Sequence, residues 1–245
     1  MLDTERPVAS VEPNILAFIL AFIANMLLAM RFSPELEHAV ADDHAVNKYF
    51  YLVISQVFVA LAICVYFFKT IIREFPFRVD FWAVVVGVVG FFLWIGICGL
   101  GIEPGLFKML GIEAWFPERV GFNPFDQITD DNRRAIFLAF RFLLLAGMIP
   151  VLEELFLRGW FVRYIENPEW HTVKLSDVGR RGIIAVAVYS VATHPGEAVA
   201  AIVWFTLVTW MMIKTGKFWN CVVAHAITNL MLGIYVTWYQ QWHLW

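Results

Sequence analysis

Residues 135–158 read AIFLAFRFLLLAGMIPVLEELFLR. A helix crosses a bilayer with about 20 mostly apolar residues, so this run is long enough to span one. It also holds Arg141, Glu153, Glu154 and Arg158 inside or at its edge. An ionised side chain near the bilayer centre costs from about 2.5 to well over 10 kcal/mol depending on the method, so such groups are paired, functional or both.

Outward from this run lie six further apolar segments, Ile15–Met30, Tyr49–Phe68, Phe81–Leu100, Gly182–Thr193, Ala198–Ile213 and Phe218–Trp238. None alternates as a barrel strand would, and the uninterrupted runs favour helices. Of the 245 residues 60% are hydrophobic, 17% aromatic and only 16% charged, too few polar groups to cover a soluble globule. The expectation is an all-α, polytopic membrane bundle of about seven helices, with six to eight allowed. Gly182–Thr193 is short and reads as a buried, partly re-entrant helix. With no linker or repeat, 1–245 reads as a single integral membrane domain. A net charge of -3 and scattered Lys and Arg count against nucleic-acid binding. Cys64, Cys98 and Cys221 lie in apolar runs without a CxxC, so neither a metal knuckle nor a disulfide framework is expected.

Residues 1–13 carry Asp3, Glu5 and Glu12 against Arg6 and lack the cationic start of a signal peptide, so the first span is expected to be retained. With a cytoplasmic N-terminus, eleven Lys and Arg fall on inner connections and six on outer ones, which favours N-in and C-out. The longest connection, 102–134, is rich in Gly, Pro and aromatic residues, including Trp115-Phe116-Pro117, and reads as a membrane-surface cap or a site element.

Three polar constellations interrupt the apolar helices. Glu153 and Glu154 are neighbours and point about 100° apart on a helix. Glu154 and Arg158, at i and i+4, share a face where an ion pair lowers the cost of burying both. Glu153 then lacks a cation of its own and suits a general base acting on water, unless both acids snorkel to the inner interface with Arg158 and Arg163. His194 closes the short segment in Thr193-His194-Pro195-Gly196, and read alone a helix-end histidine is the plainer account. His225 and Asn229, at i and i+4 within the last span, share a face inside the membrane. Arg141 either binds a substrate carboxylate or snorkels outward toward Arg134.

One shared polar pocket is the economical account of these groups. Neither HExxH nor its inverse occurs, which makes zinc the second reading, and no G-x-S-x-G or Cys-His context supplies a nucleophile. What remains is a carboxylate and imidazoles able to hold and deprotonate water, with His and Asn available to an oxyanion. Non-enzymatic binding of a membrane partner is the competing reading. A proton-coupled transporter is disfavoured because repeat symmetry and paired broken helices are lacking.

Glu153-Glu154-x-x-x-Arg158-Gly159, His194 and His225-x-x-x-Asn229 together resemble the three motifs of the CAAX prenyl protease and bacteriocin-processing (CPBP) family of intramembrane glutamic endopeptidases. The resemblance covers about residues 133–240. Residues 222–235, VVAHAITNLMLGIY, with 119–124, RVGFNP, look like the bacterial CAAX prenyl protease-related subgroup often met beside exosortase systems. The resemblance implies that Glu153 is the general base, that His194 shares its water, and that His225 and Asn229 face the water or the oxyanion. Glu154 and Arg158 would be the structural pair, no cofactor would be needed, and the setting would be the bacterial inner membrane. The substrate would be a membrane-associated peptide or protein. Where the family has Phe four residues before its second-motif histidine, this chain has Ser190, preceded by Tyr189.

Overall fold

The computed structural model describes residues 14–29, 43–112 and 121–244. Among them no strand occurs. Besides a single turn at Pro124–Gln127, the α-helices are α1 (Leu16–Ala29), α2 (Asp43–Tyr66), α3 (Phe68–Glu74), α4 (Phe81–Cys98), α5 (Ile102–Leu110), α6 (Asp131–Phe142), α7 (Ile149–Glu154), α8 (Val162–Glu166), α9 (Arg180–Thr193), α10 (Ala198–Thr215) and α11 (Phe218–Tyr239). Two π-helical segments, Leu143–Met148 and Leu155–Phe161, join α6, α7 and α8 into one 36-residue rod, Asp131–Glu166.

Five of these helical runs are long and apolar enough to cross a membrane: 44–66, 81–110, 131–166, 195–215 and 218–239. The chain is a multi-pass membrane protein with an all-helical fold. The other two expected segments fall on α1 and α9, each 14 residues long. A 14-residue helix rises only about 21 Å at about 1.5 Å per residue, against about 30 Å of hydrocarbon. The α9–α10 hairpin therefore turns at His194-Pro195-Gly196 with its first arm short of a full crossing.

In the connection 102–134, the described stretches 102–112 and 121–134 carry helical structure rather than plain surface loop. Gly101 and Gly111, both left-handed with φ 60° and 68°, bracket α5. Buried Glu103 then accepts from Val199 N–H at 2.8 Å, occupying an otherwise unpaired donor at the start of α10. The rod begins at Asp131 because the Asp130 side chain caps it, accepting from Arg133 N–H at 2.7 Å. The acidic N-terminal residues, Trp115-Phe116-Pro117, Arg119 and Val120 lie outside the described residues.

Polar ties gather at the two ends of the spans. At one end Arg163 pairs with Glu74 at 2.9 Å, Trp219 donates to the Phe75 carbonyl at 2.8 Å, and Lys217 bonds Asp80. The Lys217 bond, helped by Asn220, holds the Asp80 carboxyl below its ordinary range. At the other end Arg133 bonds Asn47, and Gly121 lies so close to Trp242 that a Cβ there would sit 2.0 Å from the Trp242 carbonyl oxygen. Between the ends, small residues let helices approach. A Cβ on Gly87 of α4 would come within 2.8 Å of Ile227 of α11, and one on Gly90 within 2.7 Å of the Trp204 indole.

Candidate active site

The rod changes its winding where the carboxylates sit. Ile149 N–H donates to the Leu144 carbonyl five residues back, the π register. The next carbonyl in that register, Leu145, would look for an N–H at position 150, which is proline and has none. Asn229 from α11 supplies the donor, its Nδ2 lying 3.0 Å from the Leu145 oxygen. Asn229 thus ties α11 to the rod just ahead of α7, one helical turn from His225.

Glu154 and Arg158 are both fully buried and form an ion pair through Oε2. The second guanidinium nitrogen donates to the Phe205 carbonyl at 3.0 Å and to Thr209 Oγ1 at 3.3 Å, both on α10. Such extra bonds are what a buried ion pair needs to offset desolvation. The other oxygen of Glu154 lies 3.0 Å from Nδ1 of His225. A carboxylate paired with arginine can only accept, so in the neutral ring Nδ1 carries the hydrogen and Nε2 the lone pair.

His225 Nε2 faces Oε2 of Glu153 at 3.7 Å, too long for a direct hydrogen bond and within reach of one bridging water. Oε1 of Glu153 accepts from the Tyr189 hydroxyl at 2.7 Å. Glu153 is 8% exposed, so its carboxylate is fixed by these partners rather than by solvent. The imidazole is seated by the Trp204 ring 4.6 Å away, whose Nε1 donates to Thr228 Oγ1 at 3.0 Å. Thr228 in turn donates to the Gly87 carbonyl at 2.9 Å, a contact that the missing Cβ of Gly87 allows.

His194, at the C-cap of α9, has Nδ1 at 2.9 Å from Thr193 Oγ1 and its ring against Trp94 and Phe205. Phe205 is a common wall, with ring centroids 5.6 Å from His194, 5.7 Å from Tyr189 and 6.5 Å from His225. Arg141 lies half-buried in the last turn of α6, twelve residues ahead of Glu153. Four elements (α7, α9, α10 and α11) therefore deliver side chains to one buried region. Sequence reading did not single out Tyr189, Thr209 or Trp204. The one signal for the first was the departure at 189–190, where Ser190 points its hydroxyl back to the Ala187 carbonyl at 2.8 Å and Tyr189 faces Glu153.

A cleft lined by Asn47, Asp130 and Arg133 opens at the start of the rod. Both charged groups there are engaged in helix capping or side-chain bonds, so convergent acid–base groups, not open volume, favour the Glu153 region.

Residues 135–231 match the family described as Rce1-like, type II CAAX prenyl endopeptidase Rce1-like. The chain carries an Rce1-like domain. That domain begins within α6 and ends within α11, so it encloses Glu153, Glu154, Arg158, Tyr189, His194, His225 and Asn229. The match covers 97 of the 245 residues and supports the CAAX protease (CPBP) family, whose activity is that of a membrane-embedded peptidase of CAAX type. No curated protein and no solved structure matches the chain.

Proposed function

We propose that the chain is a metal-independent intramembrane endopeptidase that hydrolyses a peptide bond of a membrane-associated peptide or protein with water activated by Glu153 and His225. The observation that carries this reading is the facing of Glu153 Oε2 and His225 Nε2 across 3.7 Å. With the ring neutral and Nδ1 donating to Glu154, both atoms are acceptors, and a molecule with two donors, which is water, satisfies them together. Glu153 takes one proton as the water oxygen bonds to the scissile carbonyl carbon. The C–N bond then breaks and the proton passes to the leaving amine. His194, across the Phe205 ring, and the second amide hydrogen of Asn229 are the donors assigned to the water or the oxyanion. Glu154 and Arg158 hold the ring of His225 in its working tautomer. Both oxygens of Glu154 are engaged, by Arg158 and by His225, which supports a mechanism in which it ligates no metal.

The protease core spans about residues 133–240, within one integral membrane unit covering 1–245. The Lys and Arg distribution supports a cytoplasmic N-terminus, and the bacterial inner-membrane setting rests on the resemblance to the bacterial subgroup. The exosortase link rests on the resemblance of residues 119–124 and 222–235.

The test compares new protein N-termini in membranes holding the wild type or Glu153→Gln. Termini produced by the wild type fall at least about a hundredfold in the variant, the scale of general-base loss, and they persist in chelator. Equal cleavage by Glu153→Gln sinks the reading, and chelator sensitivity replaces it with the zinc alternative.

A further inference from the structure

We infer that Tyr189 is a positioning residue for Glu153, its phenol fixing which carboxylate oxygen is presented to His225; this rests on the reading of Glu153 as base. The hydroxyl donates to Oε1 at 2.7 Å while Oε2 is the oxygen facing His225. The terminal torsion of a glutamate is broad and nearly two-fold, so packing alone selects an oxygen poorly. A donor on one oxygen removes that freedom.

The phenol is itself well placed to do so. Its ring is 9% exposed and is walled by Phe22 of α1, Phe156 and Phe161 of the rod and Phe205 of α10, at centroid distances of 5.7 to 6.5 Å. Those neighbours are apolar, so the hydroxyl finds its partner only in the carboxylate direction. The charged and titratable groups around Glu153 are then Tyr189 from α9, His225 from α11, and Glu154 with Arg158 on its own rod. One turn further, Thr193 Oγ1 donates to the Tyr189 carbonyl at 2.9 Å and contacts His194 Nδ1 at 2.9 Å. The same turn of α9 thus carries the donor to Glu153 and the histidine assigned to the water.

The test is labelling of the full-length protein, in nanodiscs, by dicyclohexylcarbodiimide, a hydrophobic reagent that attacks protonated carboxyl groups, read by peptide mass spectrometry. Tyr189→Phe keeps the ring and deletes the donor. With the donor to Oε1 gone, labelling of Glu153 rises about tenfold, the scale of one charge-assisted hydrogen bond, while Glu154 stays unlabelled. Unchanged Glu153 labelling overturns the inference, and so does a parallel rise at Glu154, which would report general loosening. Because the readout is independent of catalysis, it separates this inference from the protease reading: if Glu153→Gln still cleaves, the base assignment fails while the labelling result still decides the role of Tyr189.

Discussion

At the residue scale the site divides into groups held for charge and groups held for direction. Glu154 and Arg158, both at 0% exposure, satisfy each other, and Glu154 also orients His225. Removing one member leaves the other charge uncompensated, so Arg158→Met is expected to cost about 3–5 kcal/mol. The double variant Glu154→Gln with Arg158→Met removes both charges and recovers most of that loss in thermal melting, yet cleavage stays lost, because a neutral amide no longer fixes Nδ1 of His225 as donor. Recovery of cleavage with stability would show that the pair serves the fold alone. Charged residues in an apolar run announced these groups in the sequence. Tyr189 was not legible in the same way, because a tyrosine in an apolar helix fits an apolar wall as well as a polar contact, and only the tertiary approach of α9 to the rod decides between them.

At the element scale, apolar length located every span, and Pro-Gly marked the α9–α10 turn. The π segments on either side of α7 were not legible, since the register of a helix around Pro150 depends on who satisfies the orphaned carbonyl. That partner is Asn229, 84 positions away. Helix α5 was hidden in the 102–134 connection because its start depends on left-handed Gly101 and on Glu103 reaching α10. Asn229→Ala leaves the Leu145 carbonyl buried without its donor, with an expected cost of about 1–3 kcal/mol. Adding Pro150→Ala restores a backbone N–H at the position the π register addresses, so the pair Asn229→Ala with Pro150→Ala is expected to regain most of the lost melting temperature. If the second change gives no recovery, Asn229 does not act by completing the rod.

At the scale of the whole molecule, the polar ties sort the connections into two sets whatever the orientation. Arg163–Glu74, Trp219–Phe75 and Lys217–Asp80 join the connections around 74–80, 163–175 and 217 at one face. Arg133–Asn47, Gly121–Trp242 and Glu103–Val199 join those around 47, 103, 121–133 and 199 toward the other. Counting α9 with α10 as a down-and-back pair preserves this alternation even though α9 is short, so the assignment of faces does not hinge on whether α9 crosses fully. Under the orientation proposed above the first set, with its excess of Lys and Arg, is the cytoplasmic one, and His225, seven residues into α11, lies about 10 Å from that face. Ser176 and Asn132 are exposed on the two sets. In intact cells a membrane-impermeant maleimide is therefore expected to label Asn132→Cys and to reach Ser176→Cys only after the membrane is opened. Labelling of Ser176→Cys alone reverses the orientation and moves the nearer approach to the carboxylates to the outer face. Labelling of both in intact cells breaks the two-faced arrangement itself.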